Sequence, residues 1–179
     1  MAYDDAVIRP TNLQFVIPCL IACICVANAE QRRITGTYRN PALGYSIRVP
    51  QGLNGVTGDQ AGPERGLRIS LPSGGVISVW GEPNSLEWKT PEQGVRWALI
   101  SEKCASSQKD EVSAVPVGKL SGVKGVLVCR DRVLKIVLVF RPGGGPIYWL
   151  RLETASTHGL EDEAVFHRVA ATFSLIPWK

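Results

Sequence analysis

Hydrophobic and polar residues alternate most regularly in the second half of the chain, where they predict three consecutive β-strands. These strands occupy residues 123–130, 133–141 and 147–154. The middle strand is the clearest, because its apolar residues fall on every second position. One of its faces takes Leu134, Ile136, Leu138 and Phe140, and the other takes Val133, Lys135, Val137 and Val139. Three such strands in succession predict a sheet at the centre of the fold.

Earlier in the chain, turn residues separate shorter alternating segments. Residues 67–71 and 76–80 alternate on either side of a Pro-Ser-Gly-Gly turn, which predicts a β-hairpin. A further strand is expected at residues 45–49, after the turn that Asn40, Pro41 and Gly44 mark. The Gly- and Pro-rich residues 50–65 are expected to form a loop.

Two segments have helical rather than strand periodicity. Thr90, Pro91 and Gln93 are arranged as a capping box with proline at the first helical position, so a helix is expected from 91 to 104. A second helix is expected at residues 160–173, with acidic residues in its first turn. The buried stripe predicted for the first helix consists of Trp97, Ile100 and Cys104, widened by Val95 and Leu99. The stripe predicted for the second helix consists of Val165, Phe166, Val169 and Phe173.

Composition agrees with one packed α+β domain, which we expect to span residues 30–179. Of the 179 residues, 45% are apolar and 20% are charged, as is usual for globular proteins. The formal net charge is only +4, and the basic residues are spread singly along the chain. Nucleic-acid binding is therefore not expected, because it needs a clustered basic face.

The N-terminus has the layout of an export signal. An apolar run at residues 13–26 is followed by Ala27-Asn28-Ala29 and an abrupt change to polar residues. This pattern predicts a signal peptide, residues 1–29, that is cleaved after Ala29. Two alternatives stay open: a lipobox-like sequence that ends at Cys23 would give a lipoprotein, and an uncleaved leader would anchor the chain. All three place the folded part in the periplasm or outside the cell, and only the two alternatives involve a membrane.

Cysteine usage follows from that export. Cys104 and Cys129 are the two cysteines left once residues 1–29 are removed. An even number of cysteines in an oxidising compartment predicts a disulfide between them. A redox pair is disfavoured because the sequence has no Cys-x-x-Cys motif.

The search for catalytic and metal-binding motifs yields little. The two histidines, His158 and His167, stand in no zinc-binding pattern, and no cofactor motif is present. Ser121 and Lys124 match a Ser-x-x-Lys spacing, but on a strand that spacing puts the two side chains on opposite faces. No catalytic, metal or cofactor residue is therefore assigned, and an enzyme is disfavoured.

Tryptophan is the residue type that leaves a binding role open. Trp80 and Trp88 flank a short connection and are the candidate ligand-contacting aromatics, although burial in the core is the competing interpretation. Trp97 is expected in the core as part of the first helix. Trp149 is expected to be buried if both faces of the sheet are covered.

The sequence around Tyr38-Arg39-Asn40-Pro41 and Gly44-Tyr45-Ser46-Ile47-Arg48-Val49-Pro50 resembles the entry hairpin of PsbP-like proteins. The order of the later elements fits this family as well, including a final helix that closes on Thr172-Phe173-Ser174. The resemblance implies a central antiparallel sheet covered by helices on both faces. It also implies an accessory or binding role, since known members of the family are mostly accessory or binding proteins.

The function expected from these observations is an exported, non-catalytic, monomeric domain that binds a protein or a cell-envelope component. Two alternatives remain at this stage. One is a small extracytoplasmic hydrolase that uses an unrecognised acid and histidine site. The other is a periplasmic inhibitor or immunity protein.

Overall fold

The computed structural model of the chain describes residues 32–57, 66–102, 104, 108–109 and 112–177. The candidate leader, with Ala29 and Cys23, lies outside these residues. Within them the elements follow in the order β1 (Arg32–Ile34), β2 (Thr37–Asn40), β3 (Tyr45–Arg48), β4 (Gly55–Thr57), β5 (Leu67–Ser70), β6 (Val76–Glu82), α1 (Pro91–Ser101), β7 (Gln108–Lys109), β8 (Ser113–Val117), β9 (Leu120–Val128), β10 (Arg132–Phe140), β11 (Ile147–Ala155), α2 (Gly159–Ala171) and β12 (Ser174–Leu175).

A large antiparallel sheet organises the described part of the chain. Its strand order is β1-β4-β5-β6-β11-β10-β9, and β7 and β8 both pair with β9. The three predicted central strands are confirmed as β9, β10 and β11, and the predicted hairpin as β5 and β6. β1 and β4 add a further antiparallel pair where the sequence predicted no strands, although β2 and β3 separate them along the chain. The fold is therefore α+β, as expected.

A second, three-stranded sheet has the order β12-β3-β2. The predicted entry hairpin forms its β2–β3 pair, with Tyr38 opposite Ile47. The last strand of the chain returns to pair with β3, and the hydroxyls of Ser46 and Ser174 lie 2.8 Å apart. The beginning and the end of the described chain are thereby held together.

Alternate residues of β10 belong to two different hydrophobic clusters, as the period of two predicts. Val137 and Val139 belong to the cluster that contains Phe166 and Val169 of α2. The residues on the other face of β10 belong to the cluster that contains Val95 of α1; they are Leu134, Ile136 and Leu138. The stripe predicted for α2 is confirmed at Phe166 and Val169, and Val165 is half-buried against the same cluster. Phe173 is buried as well, but it follows the helix, which ends at Ala171.

The stripe predicted for α1 is wrong at Trp97 and Ile100 and confirmed at Val95 and Leu99. Trp97 and Ile100 are 52% and 76% exposed, and the helix ends at Ser101 rather than at residue 104. Gly94, which the prediction did not include, is buried next to Val95, and Ala98 packs against the core together with Leu99.

Close contact between α1 and the sheet explains why the buried side of the helix differs from the predicted one. A Cβ atom on Gly94 would lie 2.3 Å from Leu138 Cδ2, and one on Gly125 of β9 would lie 2.5 Å from Val95 Cγ1. The helix therefore approaches β9 and β10 through glycine, and the bulkier Trp97 is left beside the interface rather than within it. None of the helices in the described ranges is long and apolar enough to cross a membrane.

Candidate ligand-binding site

A broad polar groove of about 810 Å³ lies over β5, β6 and β11, beside α1. Strand pairing builds its floor, because Arg68, Ser78 and Arg151 occupy matched positions on the three strands. Glu153 lies two residues further along β11 and therefore points to the same side. The remaining lining residues include Asp131, Arg132 and Thr154 at the rim.

Four charged side chains form a closed network at the side of the groove nearest α1. Arg151 lies 2.8 Å from Glu102 and 3.0 Å from Glu153. Arg132 contacts the same two carboxylates, at 3.6 Å from Glu102 and 2.5 Å from Glu153. Each guanidinium thus bridges both acids, and this holds the four side chains in one arrangement.

The charge state of Glu153 follows from this network. Its partial burial would by itself raise the pKa, but the hydrogen bond from Arg132 and the charge of Arg151 outweigh that effect. The pKa of Glu153 is therefore held below its ordinary value. The carboxylate stays ionised at neutral pH and remains available as a hydrogen-bond acceptor.

A narrower cleft of about 250 Å³ opens between α1 and the sheet and meets the groove at Arg151. Three tryptophans line it: Trp80 of β6, Trp149 of β11 and Trp97 of α1. Trp80 and Trp149 stack with their ring centroids 5.9 Å apart, and both are largely buried. Trp97 has half of its surface exposed, so it forms the accessible wall of the cleft.

The indole N–H groups of the tryptophans differ in their hydrogen-bond partners. Trp149 donates its indole N–H to Glu82 Oε1 at 2.6 Å. In the described part of the chain, neither Trp80 nor Trp97 donates its indole N–H to a protein acceptor, and no side-chain nitrogen is both buried and unpaired. The indole nitrogen of Trp80 is therefore not completely buried, and the donor of the half-exposed Trp97 is accessible to a ligand.

The two aromatic residues singled out from the sequence have different positions. Trp80 lies in the wall of the cleft. Trp88 packs behind that wall, with its ring 5.7 Å from Trp97 and 5.8 Å from Trp149. Trp97, assigned to the core from its spacing, is the most exposed of the four. Its exposure is what marks Trp97 as a candidate binding residue, and the periodicity of the sequence does not reveal this exposure.

A disulfide joins Cys104 to Cys129, as predicted, with the two Cα atoms 5.7 Å apart. It links the segment after α1 to the end of β9; Cys129 belongs to the cluster that contains Val95 of α1, and the partly buried Cys104 packs against that cluster. Glu102 lies only two residues before the bridge. The covalent link therefore holds the chain beside the network that Glu102 completes.

The histidines stand apart from both hollows. His167 pairs with Glu163 at 3.3 Å, and His158 lies 3.9 Å from Glu161. Neither histidine lines the groove or the cleft. The acid and histidine pairing that the hydrolase alternative needs is thus not found in these two hollows.

Another polar cluster fastens α2 to the rest of the fold. Asp162 is 2% exposed and accepts hydrogen bonds from the hydroxyls of Ser73 and Thr154. A side chain on Gly75 would collide with this carboxylate. The Asp162 carboxylate is buried, and its hydrogen bonds make it a structural anchor.

The sequence matches no protein-family model and no curated protein sequence. Solved structures nevertheless share its architecture. The solution structure of cyanobacterial PsbP (CyanoP) from Synechocystis sp. PCC 6803 matches with a TM-score of 0.54 at 16% identity, and the match covers 87% of this chain and 98% of that one. The crystal structure of LpqN, a protein involved in cell envelope biogenesis of Mycobacterium tuberculosis, matches with a TM-score of 0.51 at 11% identity, over 83% of this chain and 91% of that one.

These matches define the class of fold: α+β, with a large antiparallel sheet and two helices. The particular fold is PsbP-like, as the entry hairpin indicated. At identities this low the likeness concerns the fold alone, so the role of the chain has to be argued from its own groove and cleft.

Proposed function

We propose that this chain is an extracytoplasmic, non-catalytic domain that binds a component of the cell envelope through the tryptophan cleft and the adjoining groove. The observation that carries the proposal is the half-exposed Trp97 beside a cleft that ends in an ordered Arg–Glu network. A large aromatic side chain in water contributes little to folding, whereas the same side chain in a cleft is a typical binding anchor.

The arrangement of the helices supports this location for the site. We infer that α1 and α2 cover opposite faces of the sheet, because they share clusters with alternate residues of β10. α1 packs on β9 and β10, so the neighbouring surface of β6 and β11 stays accessible beside it. The groove is then the part of the α1 face that this helix does not cover.

Export is the second part of the proposal. The Cys104–Cys129 disulfide is typical of oxidising compartments, and LpqN, which has the same fold, is involved in cell envelope biogenesis. We expect cleavage after Ala29, with a lipid on Cys23 as the competing outcome. Mass spectrometry of the protein recovered from its host distinguishes the two by the mass of the N-terminal peptide.

Co-sedimentation with isolated cell-envelope material tests the binding role. The full chain is expected to sediment with this material, and Trp97→Ala is expected to reduce the bound fraction roughly tenfold. Ile100→Ala is the matched control, because Ile100 is exposed on the same helix but does not line the cleft. Equal binding by the two variants, or no binding by the unaltered chain, would contradict the proposal.

A further inference from the structure

The groove and the cleft carry nearly balanced charge, and this limits the kind of ligand. Three arginines face four carboxylates along the two hollows: Arg68, Arg132 and Arg151, and Glu82, Glu102, Asp131 and Glu153. Arg132 and Arg151 already have both acids of the network as partners. A strongly anionic or cationic ligand bound at this network would have to displace an existing ion pair, so an uncharged ligand fits the network better.

The network also presents hydrogen-bond donors and acceptors side by side. Guanidinium groups only donate and carboxylates only accept, and here the two kinds of group lie about 3 Å apart. A hydroxyl group both donates and accepts, so a pair of neighbouring hydroxyls can bind an Arg–Glu pair without disrupting it. A hydroxyl-rich molecule therefore matches these polar groups.

The cleft adds a flat aromatic wall to this polar surface. The electron-rich face of an indole attracts positively polarised hydrogens, and the C–H bonds on one side of a pyranose ring supply such a surface. Trp97 offers an accessible face, and the indole N–H groups of Trp80 and Trp97 offer donors at the edge. The cleft, at about 250 Å³, is the size of a single sugar ring, and the larger groove continues from it.

Strand pairing disfavours a peptide at the same place. β6 lies between β5 and β11, and β11 lies between β6 and β10. The backbone groups of the groove floor are therefore already paired, and they offer no free strand edge to an extended peptide. A bound peptide would leave its own amides to be satisfied by side chains alone.

Resting on the proposed function, we propose that the ligand is an uncharged oligosaccharide, with one ring stacked in the tryptophan cleft and the following rings hydrogen-bonded along the Arg151–Glu153 side of the groove. The polymer is defined here by its chemistry: hydroxyl-rich, linear and without net charge. Affinity should therefore change little with ionic strength, unlike the binding of a charged ligand to the same groove.

Isothermal titration of the full chain with a panel of tetrasaccharides tests this inference. The neutral members are α- and β-linked glucose, mannose, galactose and N-acetylglucosamine tetramers, and the competitors are polygalacturonate fragments and a pool of uncharged decapeptides. At least one neutral tetrasaccharide is expected to bind. Trp97→Ala should weaken that binding about tenfold, Ile100→Ala less than about twofold, and a tenfold increase in salt less than about twofold.

The outcomes separate the two levels of the argument. Binding of only the acidic fragments or the peptides, lost in Trp97→Ala, would overturn the saccharide inference and leave the binding function intact. No binding of any panel member would overturn the saccharide inference, and if the chain also failed to sediment with envelope material the proposed function would fall too. Matching thermal unfolding of Trp97→Ala and the unaltered chain excludes misfolding as the cause of a loss.

Discussion

Two aromatic clusters in this fold have similar ring spacings and very different exposure. In the cluster next to α2, Phe173 lies 5.7 Å from Tyr45 and 5.3 Å from Tyr148, and all three side chains are at most 2% exposed. In the cluster next to α1, ring centroids are also 5.7–5.9 Å apart, but exposure rises to 52% at Trp97. Ring packing alone therefore does not distinguish core from surface.

Hydrogen bonding shows the same contrast. The hydroxyl of Tyr148 donates to the carbonyl of Leu43 at 2.9 Å and accepts from Arg141 at the same distance. Burial, the largest cause, raises the pKa of Tyr45 well above its ordinary value. The tyrosine cluster is thus closed and satisfied, whereas Trp80 and Trp97 keep donors free for a ligand. The first cluster therefore stabilises the fold, and the second is the surface for which we propose a binding role.

Removal of one ring from each cluster should give the largest contrast. Phe173→Ala is expected to lower the free energy of unfolding by roughly 3–5 kcal/mol, because it leaves a cavity in the closed cluster. Trp97→Ala should cost less than about 1 kcal/mol, since half of that side chain already meets water. Urea unfolding of both variants measures this, and similar losses in the two would erase the distinction between the clusters.

The disulfide is expected to have the next largest effect, concentrated on the α1 side. Its ends are 25 residues apart, so chain-entropy arguments give a loss of about 3 kcal/mol in the Cys104→Ser/Cys129→Ser double variant. Hydrogen exchange should quicken in α1 more than in α2, since only α1 is next to the bridge. Free thiols in the non-reduced, unaltered protein, detected by mass spectrometry, would contradict this prediction.

Gly94→Ala tests the close approach of α1 to the sheet. Alanine favours a helix over glycine by about 1 kcal/mol, but here its Cβ would lie 2.3 Å from Leu138 and 2.9 Å from the ring of Trp88. The destabilisation from overpacking, about 1–3 kcal/mol, should outweigh the gain in helix propensity. We therefore expect the free energy of unfolding of the variant to fall by about 1 kcal/mol. Gly159→Ala in α2 is the matched control, because a Cβ there meets only Val133 at 3.8 Å. Equal stabilisation of both variants in thermal unfolding would refute the close packing.

The smallest effect is expected at Glu163, which fastens α2 to the sheet through Lys135 and also contacts His167. Partial burial works to raise its pKa, but Lys135 and His167 outweigh this, so the pKa lies below its ordinary value. A lowered pKa gives stability that is present above about pH 4.5 and is lost as the pH falls through the folded-state value.

Glu163→Gln should therefore cost about 1 kcal/mol at pH 7 and weaken the dependence of stability on pH in the acid range. Urea midpoints at about pH 7 and about pH 3 measure both. Glu161→Gln is the control, because that carboxylate is exposed and has His158 as its partner at 3.9 Å. An unchanged acid sensitivity in Glu163→Gln would show that this ion pair does not contribute.

Local sequence patterns predicted the parts of the fold that depend on local physics. The capping box at Thr90 and Gln93 begins α1, and the Gln93 side chain accepts from the backbone N–H groups of Lys89 and Thr90. Strand alternation located β9, β10 and β11 to within three residues of their observed ends. The disulfide followed from the even number of cysteines that remain once the candidate leader is removed.

The candidate site could not be predicted in the same way, because it depends on contacts between distant segments. Arg151 comes beside Ser78 only because β11 pairs with β6, and nothing local to either strand specifies that pairing. The buried side of α1 was misjudged because Gly94 and Ala98 carry little hydrophobic signal, whereas Trp97 carries much. Where glycine lets a helix approach closely, the largest side chain is not the best guide to the core.

The claim that the open tryptophan cluster is the binding surface is tested most directly by a two-dimensional nitrogen–proton spectrum of the full chain, recorded with and without a bound ligand. The indole N–H resonances of Trp80 and Trp97 are expected to shift, together with the backbone amides of Ser101 and Arg151, which line the same cleft. The amides around Tyr45 and Phe173 should stay unchanged. Shifts confined to the small sheet, with the indoles of Trp80 and Trp97 unmoved, would contradict the account.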